Sequence, residues 1–370
     1  MTPHRIPLAR PDLGPAEVAN VLDAINSGWI SSLGAYIPRF ETGLAAFCAA
    51  RFGVAVMNGT AALHLALAAA GVGPDDEVVV PTLTFVATAN AVRYCGARPV
   101  FVEADRTHWG LDVRDLEARV TDRTRAIVPV HLYGHPCDMD AVLAVARRRN
   151  LVVIEDAAEA LGAEYRGRRV GALGHVGCFS FYGNKIITTG EGGMCLTDDP
   201  ALRERLALLR DHGMDAKRRY WHEVVGFNYR MTNLQAAVGV AQVERLPQLV
   251  EARRRVAGWY AESLADLVRR RGLGLQPELP WAKNAFWLSS VLLPPDGAGA
   301  AEIVARLADA GVESRPFFHP MHTLPPYATG ERFPVAEDLA ARGVNLPSGY
   351  GLTRDAVERV ARALAHALEA

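Results

Sequence analysis

The feature that most narrows what this chain can fold into is an alternation of short apolar runs with longer stretches of helical periodicity, sustained over about two-thirds of its length. Val54-Ala-Val-Met57 precedes a helical pattern from Thr60 to Ala70, and the run from Glu77 to Val80 precedes one from Phe85 to Tyr94. Pro99 to Val102 follows, and Ala126 to Val130 and Leu151 to Ile154 flank a helical Met139 to Arg149. Short buried strands alternating with helices favour a largely parallel sheet, because crossover helices cover both of its faces. The fold class is α/β.

The chain is 370 residues long, with half of its residues hydrophobic and 22% charged, more than one hydrophobic core usually serves. A long, Arg-rich helical pattern from Asn233 to Arg270 leads into Gly272 to Pro280, after which a strand (Phe286 to Leu293) and a helix (Ala300 to Ala310) recur. This places a large domain at 1–250, with a mostly parallel central sheet, and a smaller C-terminal α/β domain at 251–370.

Charge removes several functions. Forty Lys and Arg against 41 Asp and Glu leave a net charge of −1, with no basic stripe for nucleic acid or an anionic membrane. The uncharged stretch from Phe52 to Pro74 is broken by Asn58-Gly59-Thr60 and His64, against a membrane span. Met1 to Arg10 carries no apolar run with a small-residue cleavage site, so a cytoplasmic location is expected. Cysteines 48, 95, 137, 178 and 195 form no C-x-x-C pair and are odd in number, which argues for reduced thiols and no metal site.

In an open parallel sheet, ligands collect beyond the carboxyl ends of the strands. Asn58-Gly59-Thr60 follows a strand and opens a helix, where free amides suit a phosphate, although an ordinary N-cap reads the same way. Glu155 and Asp156 end the run Leu151 to Ile154, so that one acid faces the cleft or caps the next segment. Lys185 is enclosed by Phe179-Ser-Phe-Tyr-Gly-Asn184 on one side and by Ile186-Ile-Thr-Thr-Gly-Glu-Gly-Gly-Met194 on the other. Apolar surroundings disfavour an ammonium and suit a lysine to Schiff-base chemistry; the competing reading is a snorkelling surface lysine. Phosphate cradle, carboxylate and lysine together are what pyridoxal phosphate needs: an anchor, a counter-charge for the ring nitrogen and an amine for the aldehyde. Phe85, after Thr82-Leu83-Thr84, is placed to stack on the ring, though a core aromatic would look the same.

These residues, with Ser27-Gly-Trp-Ile-Ser-Ser-Leu-Gly34, Val130-His-Leu-Tyr-Gly134, Gly226-Phe-Asn-Tyr-Arg-Met231 and Glu313-Ser-Arg-Pro-Phe-Phe-His-Pro320, resemble the sugar aminotransferases of the DegT, DnrJ, EryC1 and StrS group over nearly the whole chain. Ser180 to Lys185, Arg219-Tyr-Trp221 and Arg315 to His322 are most similar to the GDP-perosamine synthase branch. The resemblance implies the aspartate-aminotransferase fold (fold type I of the pyridoxal phosphate enzymes) and transfer of an amino group from L-glutamate to a nucleotide-linked keto-sugar. GDP-4-keto-6-deoxy-D-mannose is the first choice; another nucleotide keto-sugar, a cyclitol ketone or an eight-carbon sugar acid are alternatives, and a non-catalytic cofactor-binding regulator is a remote one.

It also implies roles: Lys185 and Asp156 as catalytic residues, and Gly59, Thr60, Ser180, Phe85 and Glu159 around the cofactor. Asn228 reaches the partner's cofactor phosphate in a homodimer with active sites at the subunit interface. Ser31, Tyr182, Asn184, Arg315 and His319 are the substrate candidates. Where many relatives have His-Pro-Thr before the lysine, this chain has Tyr182-Gly183-Asn184, which points to a different sugar pocket. A dehydrating branch has histidine in place of the lysine, so Lys185 favours amine transfer.

Overall fold

The computed structural model describes residues 5–369. Its central sheet contains β1 (Phe52–Val56), β2 (Glu77–Pro81), β3 (Arg98–Val102), β4 (Thr124–Ile127), β5 (Val152–Asp156), β6 (Val176–Ser180) and β7 (Gly193–Thr197), in the spatial order β1-β7-β6-β5-β4-β2-β3. β2 pairs in parallel with β3 and β4, β4 with β5, and β5 with β6. β7 runs antiparallel between β6 and β1. Because β7 alone is reversed, β1 points the same way as β6, and the segments leaving β1, β2, β4, β5 and β6 open on one edge.

Burial explains why these strands read as apolar runs instead of alternating patterns. Val78, Val79, Val80, Val153 and Ile154 are completely buried although successive residues point to opposite faces. The helix Gly59–Ala69 is buried almost all round, and its alanines let it lie close against the sheet. Its start is fixed by Asn58, whose side chain accepts from the Ala61 amide.

A second sheet is wholly antiparallel: β8 (Gly274–Leu275), β9 (Ser289–Leu292), β10 (Arg315–Pro316) and β11 (Gly343–Leu346), ordered β8-β9-β11-β10. The helices Ala300–Asp309 and Arg354–Glu369 bury Ile303, Leu307, Val357, Val360 and Leu364 in a separate core with Val256 and Tyr260. All five cysteines are free.

Two expected elements differ. The helical pattern from Asn233 to Arg270 is divided into Asn233–Glu244, Leu246–Ser263 and Ala265–Arg271. Pro247 sits in the first turn of the second helix, where its missing amide is tolerated but from which it cannot extend the preceding helix. The strand expected from Phe286 is confined to Ser289–Leu292, since Phe286 adopts a left-handed φ of 49°. Residue 250 lies within Leu246–Ser263, whose Leu249 and Val250 join the large core and whose Val256 and Tyr260 join the small one.

Candidate active site

The edge where the strand ends open holds a cavity of about 460 Å³ lined by residues from seven separate chain segments, among them Gly59, Thr60, Phe85, Asp156, Glu159, Ser180 and Lys185. Tyr182, Asn184 and Arg315 line it as well. Of the residues named from the sequence, Ser31, Asn228 and His319 do not line this chain's cavity and are exposed.

Strand alternation separates the two acids that end β5. Glu155 turns into the protein, where it accepts from the Gly171, Leu173 and Gly174 amides, each at 2.7 Å, and pairs with His131 at 3.0 Å. Asp156 turns to the cavity side, accepting from the Thr88 hydroxyl at 2.7 Å and the Ala158 amide at 3.2 Å. Burial pushes its pKa above the usual carboxylate value, and these hydrogen bonds oppose that shift.

Lys185 follows β6 on a turn that returns its amide to the Tyr182 carbonyl. Its Nζ lies 3.8 Å from Glu159 Oε1 and 3.8 Å from the centre of the Trp287 ring. Burial holds its pKa below that of an ordinary lysine, while Glu159 and Asp156 pull the other way. Glu159 is itself pushed up to about 7 by burial, and its Oε2 accepts from the Tyr133 amide at 2.8 Å.

Several residues that shape the site lie far from it in sequence. Trp287 donates its indole N–H to the Asn184 carbonyl at 2.9 Å. Arg253, buried and held down to about 10 by desolvation, donates to the Trp287 carbonyl at 2.6 Å and to the Lys185 carbonyl at 3.3 Å. Tyr133 and Phe318 meet with ring centres 5.3 Å apart, and Phe318 stands 5.5 Å from Phe85. Neither Trp287 nor Arg253 belongs to a local motif; an aromatic after Asn284-Ala285-Phe286 and an arginine among many offered no signal.

A model of the DegT/DnrJ/EryC1/StrS aminotransferase family matches residues 11–365. The chain belongs to that family. It is 51% identical over 364 residues to the GDP-perosamine synthase of Caulobacter vibrioides, with 97% of each chain covered. It is 44% identical to the GDP-perosamine synthase of Escherichia coli O157:H7, with 95% of each covered. The sugar aminotransferase Spr1654 from Streptococcus pneumoniae, a putative assignment solved in its PLP form, superposes with a TM-score of 0.92 at 27% identity, covering 99% of both chains. This aminotransferase has the fold-type-I α/β architecture and is dependent on pyridoxal phosphate.

Its residues fit that cofactor. A Cβ on Gly59 would come within 2.7 Å of the Ser180 Cβ, so glycine is what allows the start of the helix to approach the end of β6. The first amides of a helix have no intrahelical acceptor and attract an anion, and the Ser180 hydroxyl sits beside them. A phosphate would be held by Gly59, Thr60 and Ser180, the ring by Phe85, its nitrogen by Asp156 and its aldehyde carbon by Lys185.

Proposed function

We propose that this aminotransferase moves an amino group from L-glutamate to GDP-4-keto-6-deoxy-D-mannose, giving GDP-perosamine. The observation that carries this reading is near-full-length identity to relatives of that name together with an intact lysine and buried aspartate in one cavity. Lys185, Asp156, Gly59, Thr60, Phe85, Glu159 and Ser180 are assigned to the cofactor, and Tyr182, Asn184 and Arg315 to the sugar nucleotide.

Pyridoxal phosphate supplies an aldehyde that takes up an amine and a ring that accepts the electron pair left by a departing proton. Lys185 acts as general base and acid at the carbon that loses or gains that proton, because burial favours its neutral amine and the cavity holds it close. Glu159, near 7, takes or returns charge as the neighbouring amine changes state. Asp156 would hold the ring nitrogen in its protonated form, and Phe85 would pack against the ring. Arg315, exposed at the cavity rim, offers a fork of donors for the diphosphate.

The assembly is a homodimer whose second copy completes each site. Asn228, Ser31 and His319 are exposed and do not line their own cavity, and Trp29, Leu33, Trp221 and Val225, close in sequence to Ser31 and Asn228, are exposed apolar side chains, Val225 by 92%. Large apolar side chains clustered in the open are a mark of interfaces. No helix among the described residues is long and apolar enough to cross a membrane, and we place the enzyme in the cytoplasm, with a cofactor-binding domain over 1–250 and a small domain over 251–370.

The test is a coupled assay of 2-oxoglutarate release with GDP-, dTDP- and UDP-linked 4-keto-6-deoxy sugars and L-glutamate, with product identified by mass spectrometry. GDP-4-keto-6-deoxymannose is the preferred acceptor. Run beside it with a cyclitol ketone and an eight-carbon keto sugar acid, the assay overturns the substrate if any of these or a dTDP- or UDP-sugar is preferred, and no turnover with any of them returns the reading to a cofactor-binding regulator.

A further inference from the structure

Thr88 does not line the cavity, yet its hydroxyl makes the shortest hydrogen bond to the Asp156 carboxylate, 2.7 Å to Oδ2. Thr88 is 1% exposed and Thr84 is fully buried, with their hydroxyl oxygens 3.0 Å apart. A carboxylate only accepts, so Thr88 donates its single proton to Asp156, and the Thr84 hydroxyl donates to Thr88. Such a chain of hydroxyls polarises each bond and strengthens the last one. Thr84 and Thr88 bracket Phe85, which caps the helix Val86–Tyr94, and the Thr88 amide donates to the Phe85 carbonyl at 3.2 Å. One helical turn therefore carries both the exposed ring and the hydroxyl that reaches behind it.

Asp156 needs this support. It is buried, and a carboxylate without donors in such a place takes up a proton instead of remaining charged. Lys185, Glu159, His131 and Cys178 are the titratable groups around it. Among the described residues, none of these side chains hydrogen bonds its carboxylate, which has only the Thr88 hydroxyl and the Ala158 amide. We propose that Thr88, oriented by Thr84, is a positioning residue that keeps Asp156 ionised and thereby keeps the pyridine nitrogen of the cofactor protonated. This inference rests on the role given to Asp156 above.

The experiment compares wild type, Thr88→Val, Thr88→Ser, Thr84→Val and Asp156→Asn, each reconstituted with pyridoxal phosphate labelled with nitrogen-15 in the ring. The ring-nitrogen chemical shift separates protonated from unprotonated pyridine, and the pH profile of the visible band is recorded beside it. Thr88→Val, close in volume but without the hydroxyl, moves the ring nitrogen toward the unprotonated shift. It lowers turnover about ten- to a hundredfold, the range for a lost hydrogen bond to a charged group. Thr88→Ser restores both readouts, and Thr84→Val moves them part of the way.

A wild-type ring-nitrogen shift and pH profile in Thr88→Val overturn the proposal if Asp156→Asn moves them. If Asp156→Asn leaves them unchanged, the reading of Asp156 fails and takes the inference with it. Should Thr88→Val prove unable to hold cofactor, Thr84→Val decides in the same way.

Discussion

Lys185 and Trp287, 102 positions apart in the chain, meet with the ammonium nitrogen 3.8 Å from the centre of the indole ring. Desolvation by the protein disfavours the charged amine, while the face of the ring and Glu159 favour it. Burial thus lowers the amine's affinity for a proton while the ring face and Glu159 limit that lowering, which suits a group that both gives and takes a proton. The arrangement is rigid because Arg253 ties the Trp287 and Lys185 carbonyls together from beneath.

Lys185→Ala removes the only amine lining the cavity from the described chain. Borohydride treatment of the reconstituted wild type adds the mass of the reduced cofactor to the peptide containing Lys185, and the variant shows neither that adduct nor measurable turnover. Near-wild-type activity in Lys185→Ala would remove the lysine from the mechanism.

Gly59→Ala tests the phosphate cradle. The added methyl meets Ser180 at 2.7 Å, closer than side-chain carbons approach, so the helix start and the end of β6 must part. Gly59 has no left-handed φ, so the effect is steric and local. Cofactor affinity, followed by absorbance titration of apoprotein, falls about ten- to a hundredfold, equivalent to roughly 1.4 to 3 kcal/mol; an unchanged dissociation constant places the phosphate elsewhere.

Glu159 ties stability of the apoprotein to pH. Burial raises its folded pKa from 4.5 to about 7, so the folded state keeps a proton that the unfolded chain has lost. This contribution is fully present below 4.5 and is lost as pH rises through 7, a change of about 3 kcal/mol. Glu159→Gln abolishes it. Thermal melts should show the variant gaining on wild type between pH 4.5 and 7, and parallel profiles across that window would contradict the assignment.

Arg253→Met leaves the Trp287 and Lys185 carbonyls without their guanidinium donor, while the Asn184 carbonyl keeps the Trp287 indole N–H. Unpaired buried acceptors cost about 1 to 3 kcal/mol each, partly offset by no longer burying a charge, so a net loss of about 2 to 4 kcal/mol is expected in urea unfolding. Arg253→Lys recovers little, because a single ammonium cannot span carbonyls that the planar guanidinium reaches from two nitrogens.

Much of the large domain was legible because burial on both faces leaves a strong mark: Val78 to Val80 and Leu151 to Ile154 are apolar without a break. Asn58-Gly59-Thr60 and Asp156 were legible for a related reason, since each follows closely on such a run, and Lys185 because aromatic, aliphatic and glycine residues enclose it. The strand direction of β7 was not, because Gly193–Thr197 carries no local trace of which way it pairs. The division of the helical pattern from Asn233 onward into three helices was not legible either, because a proline such as Pro247 is compatible with the first turn of a new helix and with a kink in an old one.

By itself the sequence determined the chemistry available: a lysine with an apolar neighbourhood, an acid ending a buried strand, and a glycine where a helix must begin close to an anion. Those properties depend on neighbours a few residues away, and period and composition record them. Only the tertiary structure decided that Glu155 faces inward and Asp156 outward, that Trp287 and Arg253 hold the lysine, and that Thr88 reaches the aspartate from the helix that follows another strand. Such contacts join residues separated by 68 to 102 positions, and nothing in either partner's local pattern encodes the meeting. They arise because five strand ends open on one edge of the sheet and burial leaves their polar groups no other partners.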